Sequence, residues 1–241
     1  MRTILVTDAT QYAGPGAVGA LVAQGARVIC HDQTFHATSA RQAFAEAHPG
    51  TECAESVYAA DLASELARRG IVLDAVVLNN AFPNRPTPIG DIPLDDFRTT
   101  FAAVFLFPVE LTQLLLPAMR RRQSGAFVFV TSARQLQPEP GFAVATSIRA
   151  ATTTFAAALA REVARFGIQV NVVAPNYLYS EMYYPRATFI DDQAGRDRIA
   201  ALVPTGRLGT QEELGELIAF LASGKAQFVT GQTVFFTGGW P

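Results

Sequence analysis

Ser132 and Arg149 are polar residues whose types and positions could perform chemistry. Ser132 directly follows the apolar run Phe127–Thr131, and Arg149 lies near the start of the helical segment Ser147–Phe166. A serine hydroxyl can bind a substrate oxygen. A nearby guanidinium lowers the pKa of an acidic side chain, which can then ionise and act as a base. Taken singly, a serine after a strand is typical of a turn cap, and an arginine on a helix is typical of a solvated side chain. Both interpretations stay open at this point.

Together with Ala145, these two residues match the spacing of a known catalytic triad. The sequence has Ser132, twelve residues, Ala145, three residues and then Arg149. This spacing resembles the serine–tyrosine–arginine triad of the halohydrin dehalogenases, a family related to the short-chain dehydrogenases, whose reductases carry lysine instead of the arginine. Ala145 stands where that family has its general base, and the segment Ala133–Ala151 contains no tyrosine. The substitution fits a natural loss of activity and equally an exchange made to trap a substrate.

The first turn of the chain departs from a dinucleotide-binding turn, which needs glycines so that the backbone can approach a pyrophosphate. The short-chain dehydrogenase pattern, Thr-Gly, three residues and Gly-x-Gly, is present here as Thr7-Asp8, three residues and Tyr12-Ala13-Gly14. Asp8 and Tyr12 then stand in the dinucleotide path, and we expect no NAD(P) to bind. The spacing also resembles the dehalogenase signature, in which the aromatic residue walls a halide pocket. A core aromatic is the structural alternative for Tyr12.

A second segment that fits a halide site is Pro175-Asn176-Tyr177-Leu178, directly after another apolar run. Reductases of this superfold usually carry Pro-Gly at this place. In the dehalogenases the matching proline and asparagine shape the halide site, and the next two backbone N–H groups bind the anion, which the resemblance implies for Tyr177 and Leu178. A nest of N–H groups suits a large, weakly hydrated anion. Tyr184 is a candidate for a further wall, with an exposed loop aromatic as the alternative.

The resemblance implies a lyase that uses no redox cofactor and no metal. Members of the family convert vicinal halohydrins to epoxides and halide ions, and in reverse they open epoxides with azide, cyanide or nitrite. Ser132 would then hold the substrate oxygen and Arg149 would lower the pKa of the base. The small-molecule partners would be a halohydrin or epoxide and a halide ion.

Two alternatives to the lyase stay open. One is an NAD(P)-dependent carbonyl reductase, for which Asp32, in His31-Asp32 after the second apolar run, would bind the adenine ribose. The other is a catalytically silent binding protein of the same fold. Asn79-Asn80 stands where reductases carry Asn-Asn-Ala-Gly, and we interpret both amides as structural hydrogen-bonding groups.

Alternating apolar runs and helical segments predict the elements that position these residues. Short apolar runs recur at Thr3–Thr7, Ala26–Cys30, Ala75–Leu78, Ala126–Thr131, Gln169–Ala174 and Thr233–Thr237. Helical periodicity covers Gly16–Gln24, Arg41–Ala47, Ala60–Arg69, Asp95–Arg121, Ser147–Phe166, Gln193–Leu202 and Gln211–Ala222. Because the strand patterns lack polar alternation, helices must cover both faces of a parallel sheet. We therefore expect an α/β fold, a single Rossmann-type domain over residues 1–241 with a doubly wound sheet in three α/β/α layers.

Three connections are predicted to set the size of the substrate: Asn84–Pro88, Leu136–Phe142 and the aromatic-rich loop Tyr177–Asp192. Ligands of open α/β sheets bind beyond the carboxyl ends of the strands, where these connections begin. Long irregular loops of this kind usually cover a site.

Composition excludes several other functions. With 241 residues, 49% hydrophobic and 17% charged, the chain can bury a large core. A net charge of −2 offers no basic surface for nucleic acid. Cys30 and Cys53 lack the spacing of a metal site or a disulfide framework.

Location and assembly are predicted from the apolar segments. The longest such run, Phe101–Met119, is broken by Pro108, Glu110 and Gln113, so we expect a buried helix and no membrane partner. Because a strand pattern begins at Thr3, no signal peptide is expected and the protein is predicted to be cytoplasmic. In relatives the two long helices pack against copies of themselves, which implies a homotetramer.

Overall fold

Seven parallel strands form the central sheet of the protein, in the order β3-β2-β1-β4-β5-β6-β7. The computed structural model describes residues 1–83 and 85–241; Asn84, the first residue of one connection predicted to border the substrate, lies outside the described residues. The strands are β1 Thr3–Val6, β2 Arg27–Cys30, β3 Thr51–Cys53, β4 Ala75–Leu78, β5 Gly125–Val130, β6 Ile168–Pro175 and β7 Thr233–Phe236.

Helices cover both faces of this sheet. They are α1 Gly14–Ala23, α2 Thr38–Ala47, α3 Ala59–Arg68, α4 Leu94–Phe101, α5 Phe107–Arg122, α6 Ala143–Val163, α7 Arg186–Phe189, α8 Gln193–Leu202 and α9 Gln211–Ala222. The predicted Rossmann-type α/β fold with helices on both sides is confirmed.

The core follows from the strand sequences, in which successive side chains point to opposite faces. Val128 of β5 faces a cluster that includes Leu21 of α1 and Ile218 of α9. Its neighbours Phe127 and Phe129 face a second cluster, which is built with α3, α5 and α6. Every residue of β4, β5 and β6 is buried. These strands are therefore apolar at every position except Gln169 and Asn171, as a sheet that is covered on both faces requires.

The strand order places the candidate residues at one edge. β1 pairs with both β2 and β4, so the chain reverses its direction of winding between β1 and β4. In open α/β sheets a crevice forms at such a switch point, beyond the carboxyl ends of the strands. The turns after β1, β4, β5 and β6 therefore meet there.

Two local features differ from the sequence-based expectation. Strand β3 was not predicted, because its three residues are all half-buried and too few to give a pattern. Its Glu52 accepts two hydrogen bonds from Arg27 of β2, from Nε at 2.6 Å and from Nη2 at 3.0 Å. The loop Tyr177–Asp192 is less irregular than expected, since it contains α7 and a bridge between Leu178 and Gly209.

The predicted helix Asp95–Arg121 is continuous but changes its winding. Between α4 and α5, residues Ala102–Leu106 form a π-helical stretch. Pro108 stands two residues after this stretch, and a proline lacks the N–H for an α-helical bond and clashes with the carbonyl four residues earlier. That carbonyl belongs to Val104 and lies 3.4 Å from the Thr152 hydroxyl of α6, whose shorter bond, at 3.0 Å, goes to the Ile148 carbonyl. The widening thus accommodates Pro108.

Two helical stretches, Leu94–Arg122 and Ala143–Phe166, are long and apolar enough to span a membrane by length and composition alone. The first continues through Pro108 and the polar residues that we expected to interrupt it. Core helices of water-soluble proteins meet the same criterion, so the expected absence of a membrane partner stays a prediction. Only 22% and 39% of their apolar windows are buried within the chain, which leaves apolar faces exposed.

Candidate functional site

A pocket of about 510 Å³, its open mouth included, lies at the carboxyl edge of the sheet. All nine predicted site residues line it: Tyr12, Ser132, Ala145, Arg149, Pro175, Asn176, Tyr177, Leu178 and Tyr184. Four further lining residues were not predicted: Thr131, Arg134, Thr146 and Tyr183. The structure thus brings the predicted residues together, while the roles assigned to them stay predictions.

Ser132 combines a structural and an accessible group. It follows β5 in an extended conformation, and its Oγ accepts a hydrogen bond from the Arg134 N–H at 3.2 Å. The turn-cap interpretation is therefore correct, but the cap uses only one of the hydrogen-bonding groups of Ser132. Because this bond uses a lone pair of the oxygen, the hydroxyl proton is still free to be donated to a ligand in the pocket.

Arg149 is buried, so the interpretation as a solvated helix residue is wrong. It is only 6% exposed, and Nη1 donates to the Val130 carbonyl at 2.7 Å. Ala145 lies four residues earlier on α6, and side chains at this spacing share one helix face. The guanidinium carbon is 5.8 Å from the centre of the Tyr12 ring. A fixed positive charge therefore lies beside the position of the missing tyrosine.

The turn after β1 keeps the backbone of a glycine-rich turn without two of its glycines. Asp8 and Tyr12 have φ values of 45° and 52°, in the left-handed region that favours glycine. The retained Gly14 has a packing reason, because a Cβ there would come within 2.6 Å of the Asp8 carbonyl oxygen. Tyr12 is 8% exposed, and its ring meets that of Tyr183 edge-on with centroids 5.3 Å apart. It serves both as a core aromatic and as a pocket wall.

The Asp8 carboxyl is buried, with the residue only 7% exposed. Oδ2 accepts a hydrogen bond from the Ala81 N–H at 3.1 Å, and Oδ1 lies 4.0 Å from His31 Nδ1. Neither Oδ1 nor Nδ1 has a hydrogen-bond partner among the described residues. Burial raises the pKa of Asp8 to about 7; the Asp32 charge adds to this, while the Ala81 N–H and Arg149 oppose it.

Asp32 is saturated by hydrogen bonds within the chain. Oδ2 accepts from the Thr10 N–H at 3.1 Å and from the Thr10 hydroxyl at 2.6 Å. Oδ1 accepts from the Thr34 N–H at 3.0 Å and from the Thr34 hydroxyl at 2.7 Å. The residue is 1% exposed. No acceptor lone pair of this carboxylate is left for a ribose.

The two asparagines after β4 hold the first turn in place. Asn79 Nδ2 donates to the carbonyls of Asp8 at 3.0 Å and Gln11 at 2.9 Å. Asn80 Oδ1 accepts from the Thr7 hydroxyl at 2.9 Å. Both amides therefore have the structural role that we predicted.

A nest of hydrogen-bond donors follows β6. Tyr177 has a φ of 53°, and strained non-glycine residues of this kind cluster at ligand sites. Among the described residues, neither the Tyr177 nor the Leu178 N–H donates a hydrogen bond, although both residues are buried. Asn176 Nδ2 is also buried without a partner in the part of the chain that the structure describes. We call Asn176, Tyr177 and Leu178 the anion nest, after the anion site that the sequence predicts there.

Hydrogen bonds through Tyr184 fix the orientation of the Asn176 side chain. Tyr184 Oη donates to Asn176 Oδ1 at 3.3 Å and accepts from Arg134 Nη2 at 3.5 Å. Because Asn176 Oδ1 accepts the bond from Tyr184, the NH₂ group of the same amide points away from Tyr184. Tyr184 is 9% exposed, so the alternative of an exposed loop aromatic is wrong.

The four lining residues that were not predicted differ in how easily the sequence alone could have revealed them. Arg134 stands two residues after Ser132, and extending the search along that turn would have found it. Thr146 lies next to Ala145, and its hydroxyl has no partner among the described residues. Thr131 ends the apolar run of β5, where its type suggests only a strand residue. Tyr183 reaches the pocket only through the folding of its loop, where its hydroxyl donates to the Phe82 carbonyl at 3.1 Å.

Known proteins similar to this chain include oxidoreductases among the sequence relatives and dehalogenases among the solved structures. A 3-oxoacyl-acyl-carrier-protein reductase of Salmonella typhimurium is 34% identical over 168 residues, 68% of this chain and 65% of that protein, so the match spans less than two thirds of its length. An uncharacterized oxidoreductase of Bacillus subtilis is 31% identical over 99% of this chain and 98% of its own. Among solved structures, a protein described as a dehalogenation enzyme has 38% identity and a TM-score of 0.94, with 100% and 98% of the two chains covered.

A halohydrin dehalogenase bound to ethyl (2S)-oxiran-2-ylacetate has 31% identity and a TM-score of 0.95, over 99% of this chain and 97% of that one. A family model described as enoyl-(acyl carrier protein) reductase matches residues 13–241. With the fold, the full-length relatives and this match in agreement, the chain belongs to the short-chain dehydrogenase/reductase family.

Proposed function

We propose that the chain is a halohydrin dehalogenase-type lyase that works without a redox cofactor and in which the position of the base is vacant. The observation that carries this proposal is the anion nest beside the Tyr12 ring, at the end of β6. Unpaired N–H groups next to an aromatic wall suit a weakly hydrated anion such as bromide. The two dehalogenase-type structures cover nearly the whole chain and support the same class. One of them holds an epoxide.

The chemistry of this proposal needs no electron transfer. A base removes the hydroxyl proton of a vicinal halohydrin while the Ser132 hydroxyl donates to the same oxygen. The oxygen then forms a bond to the neighbouring carbon as the carbon–halogen bond breaks, and the halide leaves into the anion nest. Arg149 favours the charged form of a base at position 145. Without that base the chain binds its ligands and turns them over slowly.

The residues present do not fit a nicotinamide dinucleotide. The ring of Tyr12 and the carboxyl of Asp8 occupy positions that glycines would leave open for the cofactor. Asp32, the candidate for the adenine ribose, is already saturated by Thr10 and Thr34. Ala145 and Arg149 replace the tyrosine and lysine of the reductases. These points speak against the carbonyl reductase, which the names of the sequence relatives favour.

Location and assembly follow from the same proposal. The partners are a halohydrin or epoxide and a halide ion, with a second copy of the chain on the exposed faces of the long helices. The surroundings are those of the cytoplasm. None of the proposed steps requires nucleic acid, a metal ion or a membrane.

A titration of the chain with bromide and with NADPH tests the proposal. The Trp240 ring lies 5.6 Å from the Tyr177 ring, so bromide in the nest should quench Trp240 fluorescence in a saturable manner. Fluoride at matched ionic strength is the ion control. Asn176→Asp is the matched variant, since a carboxylate of equal size repels an anion.

We expect saturable bromide quenching that is lost in Asn176→Asp, and no NADPH binding in the micromolar range. Micromolar NADPH affinity, or bromide quenching that rises linearly and equally in both proteins, would overturn the proposal.

A further inference from the structure

We propose that Arg134 is a specificity-determining residue that selects halohydrins and epoxides carrying a carboxylate. This inference rests on the proposed function and narrows its substrate class. It starts from a lining residue for which the dehalogenation steps have no use.

The charged end of Arg134 is held in place at the pocket. Its guanidinium carbon lies 4.1 Å from the centre of the Phe142 ring, and Nη2 donates to Tyr184 Oη at 3.5 Å. The side chain is 16% exposed. An arginine that stacks on an aromatic ring presents its remaining donors in a fixed direction. Nη1 donates no hydrogen bond to any described residue and is available to a ligand.

Two basic side chains line the pocket. Arg134 and Arg149 line it, and no acidic side chain does so among the described residues. Arg149 lies beside the position of the base and is bound to the Val130 carbonyl. The charges of Arg134 and Glu139 both act on Tyr184: Arg134 opposes the burial that raises the pKa of Tyr184, and Glu139 adds to it. A partly desolvated cation costs free energy unless it is well paired, and an anionic ligand can improve that pairing.

The counter-ion of Arg134 is loosely placed. Glu139 Oε1 lies 3.5 Å from Arg134 Nε, yet Nε makes no hydrogen bond within the described part of the chain. The Glu139 side chain is 35% exposed, between Pro138 and Pro140 on the loop that borders the open groove next to the pocket. Carboxylates bind guanidinium groups best through two parallel hydrogen bonds. A substrate carboxylate can therefore replace Glu139 and gain contacts that Glu139 does not make.

Ser132 and Arg134 stand two residues apart on one turn, and both line the same pocket. A small molecule in the pocket can thus place its epoxide or alcohol oxygen on Ser132 and a carboxylate on Arg134.

Binding of a matched acid and amide tests the inference. The probes are 3,4-epoxybutanoate and 3,4-epoxybutanamide, which differ in charge and hardly in shape. Isothermal titration gives Kd for the parent chain, Arg134→Gln, Glu139→Gln and the control Arg68→Gln. Arg68 is exposed on α3, so its exchange removes the same charge far from the pocket.

We expect the parent to bind the acid about tenfold or more tightly than the amide, since a hydrogen bond to a charged group is worth that factor. Arg134→Gln should abolish this preference, and Glu139→Gln should strengthen acid binding because the competing carboxylate is gone. Arg68→Gln should keep the parent's preference. A purely structural Arg134 would not give opposite effects in these two variants.

Equal affinities for acid and amide in the parent, together with no effect of Glu139→Gln, would overturn the inference and leave the proposed function standing. If Arg134→Gln fails to fold, the Glu139→Gln result decides alone. If neither probe binds to a chain that binds bromide, the epoxide part of the proposed function fails and the inference fails with it.

Discussion

Asp8 and Tyr12 show how a few residues can change the use of a site while its backbone is kept. Both stand where a dinucleotide-binding turn has glycine, and both keep the left-handed backbone of glycine. Such a conformation costs a non-glycine residue roughly 1 kcal/mol or more. Tyr12 recovers this through burial, and Asp8 through the Ala81 N–H. Tyr12 is a wall of the pocket, and in the proposed function the two side chains also close the dinucleotide path.

Ala145→Tyr should raise halide release by about 10²–10⁴-fold, the usual contribution of a positioned general base. The phenol would lie one helical turn before Arg149, whose charge favours the phenolate. Bromide release from a panel of vicinal bromohydrins measures the effect, and Ala145→Phe is the control of equal bulk without the hydroxyl. Release from Ala145→Tyr no faster than from Ala145→Phe, in folded protein that binds bromide, would show that the residues around position 145 no longer support catalysis.

Asp8→Asn should change the pH dependence of stability. Burial raises the pKa of Asp8 to about 7 in the folded state, well above its value in the unfolded chain. The folded state therefore holds a proton that the unfolded state releases, and the free energy of unfolding falls as the pH rises from about 4 to about 7. The amide of the Asp8→Asn variant has no such proton, and asparagine also tolerates the left-handed backbone.

Urea unfolding at several pH values compares the parent, Asp8→Asn and the exposed control Asp61→Asn. Relative to the parent, Asp8→Asn should gain stability with rising pH, on the order of a few kcal/mol at most. Asp61→Asn should follow the parent. Parallel curves for all three proteins would mean that Asp8 ionises normally in the folded chain.

At the scale of elements, the long helix α4–α5 and helix α6 are only partly covered by the rest of the chain. The π-helical stretch between α4 and α5 faces α6, with the Val104 carbonyl 3.4 Å from the Thr152 hydroxyl. Large apolar side chains on the outer side remain exposed, among them Leu106 at 48% and Leu114 at 43%. Exposed apolar faces of this kind mark interaction surfaces. The predicted homotetramer would use them.

Leu114→Glu should weaken self-association by about tenfold or more, because an unpaired charge at an apolar interface costs upward of about 1 kcal/mol. Sedimentation velocity over a range of concentrations measures the change. Val72→Glu is the control, since Val72 is 56% exposed after α3 and outside the long helices. Both variants should fold. Equal association of Leu114→Glu and the parent would exclude this helix face as the contact.

At the scale of the whole molecule, the sheet order and the pocket are coupled. The reversal of winding between β1 and β4 brings together segments that are far apart in sequence, from the turn at residue 8 to the loop at residue 184. The pocket residues lie within the helix α6 and the strand β6 or in the turns that follow β1, β5 and β6. The chain has a net charge of −2, yet Arg134 and Arg149 line the pocket and no acidic side chain does so among the described residues.

The sequence by itself determined the fold class, six of the seven strands and nine of the residues that line the pocket. Short apolar runs without polar alternation that alternate with helical segments are typical of strands buried on both faces, and ligand residues follow such strands directly. This is why Ser132 and Asn176 were found from their place in the chain. Strand β3 was missed because three half-buried residues carry no period.

Only the tertiary structure decided which polar groups have hydrogen-bond partners. Asp32 is saturated because its turn lies beside Thr10, and within the described residues Asp8 Oδ1 and Asn176 Nδ2 have no partner because the surrounding elements bring none within reach. Arg134 entered the site for the same reason, since Tyr184 lies 50 residues further along the chain. Whether a hydrogen-bonding group is satisfied is a property of three-dimensional surroundings, and sequence spacing does not encode it.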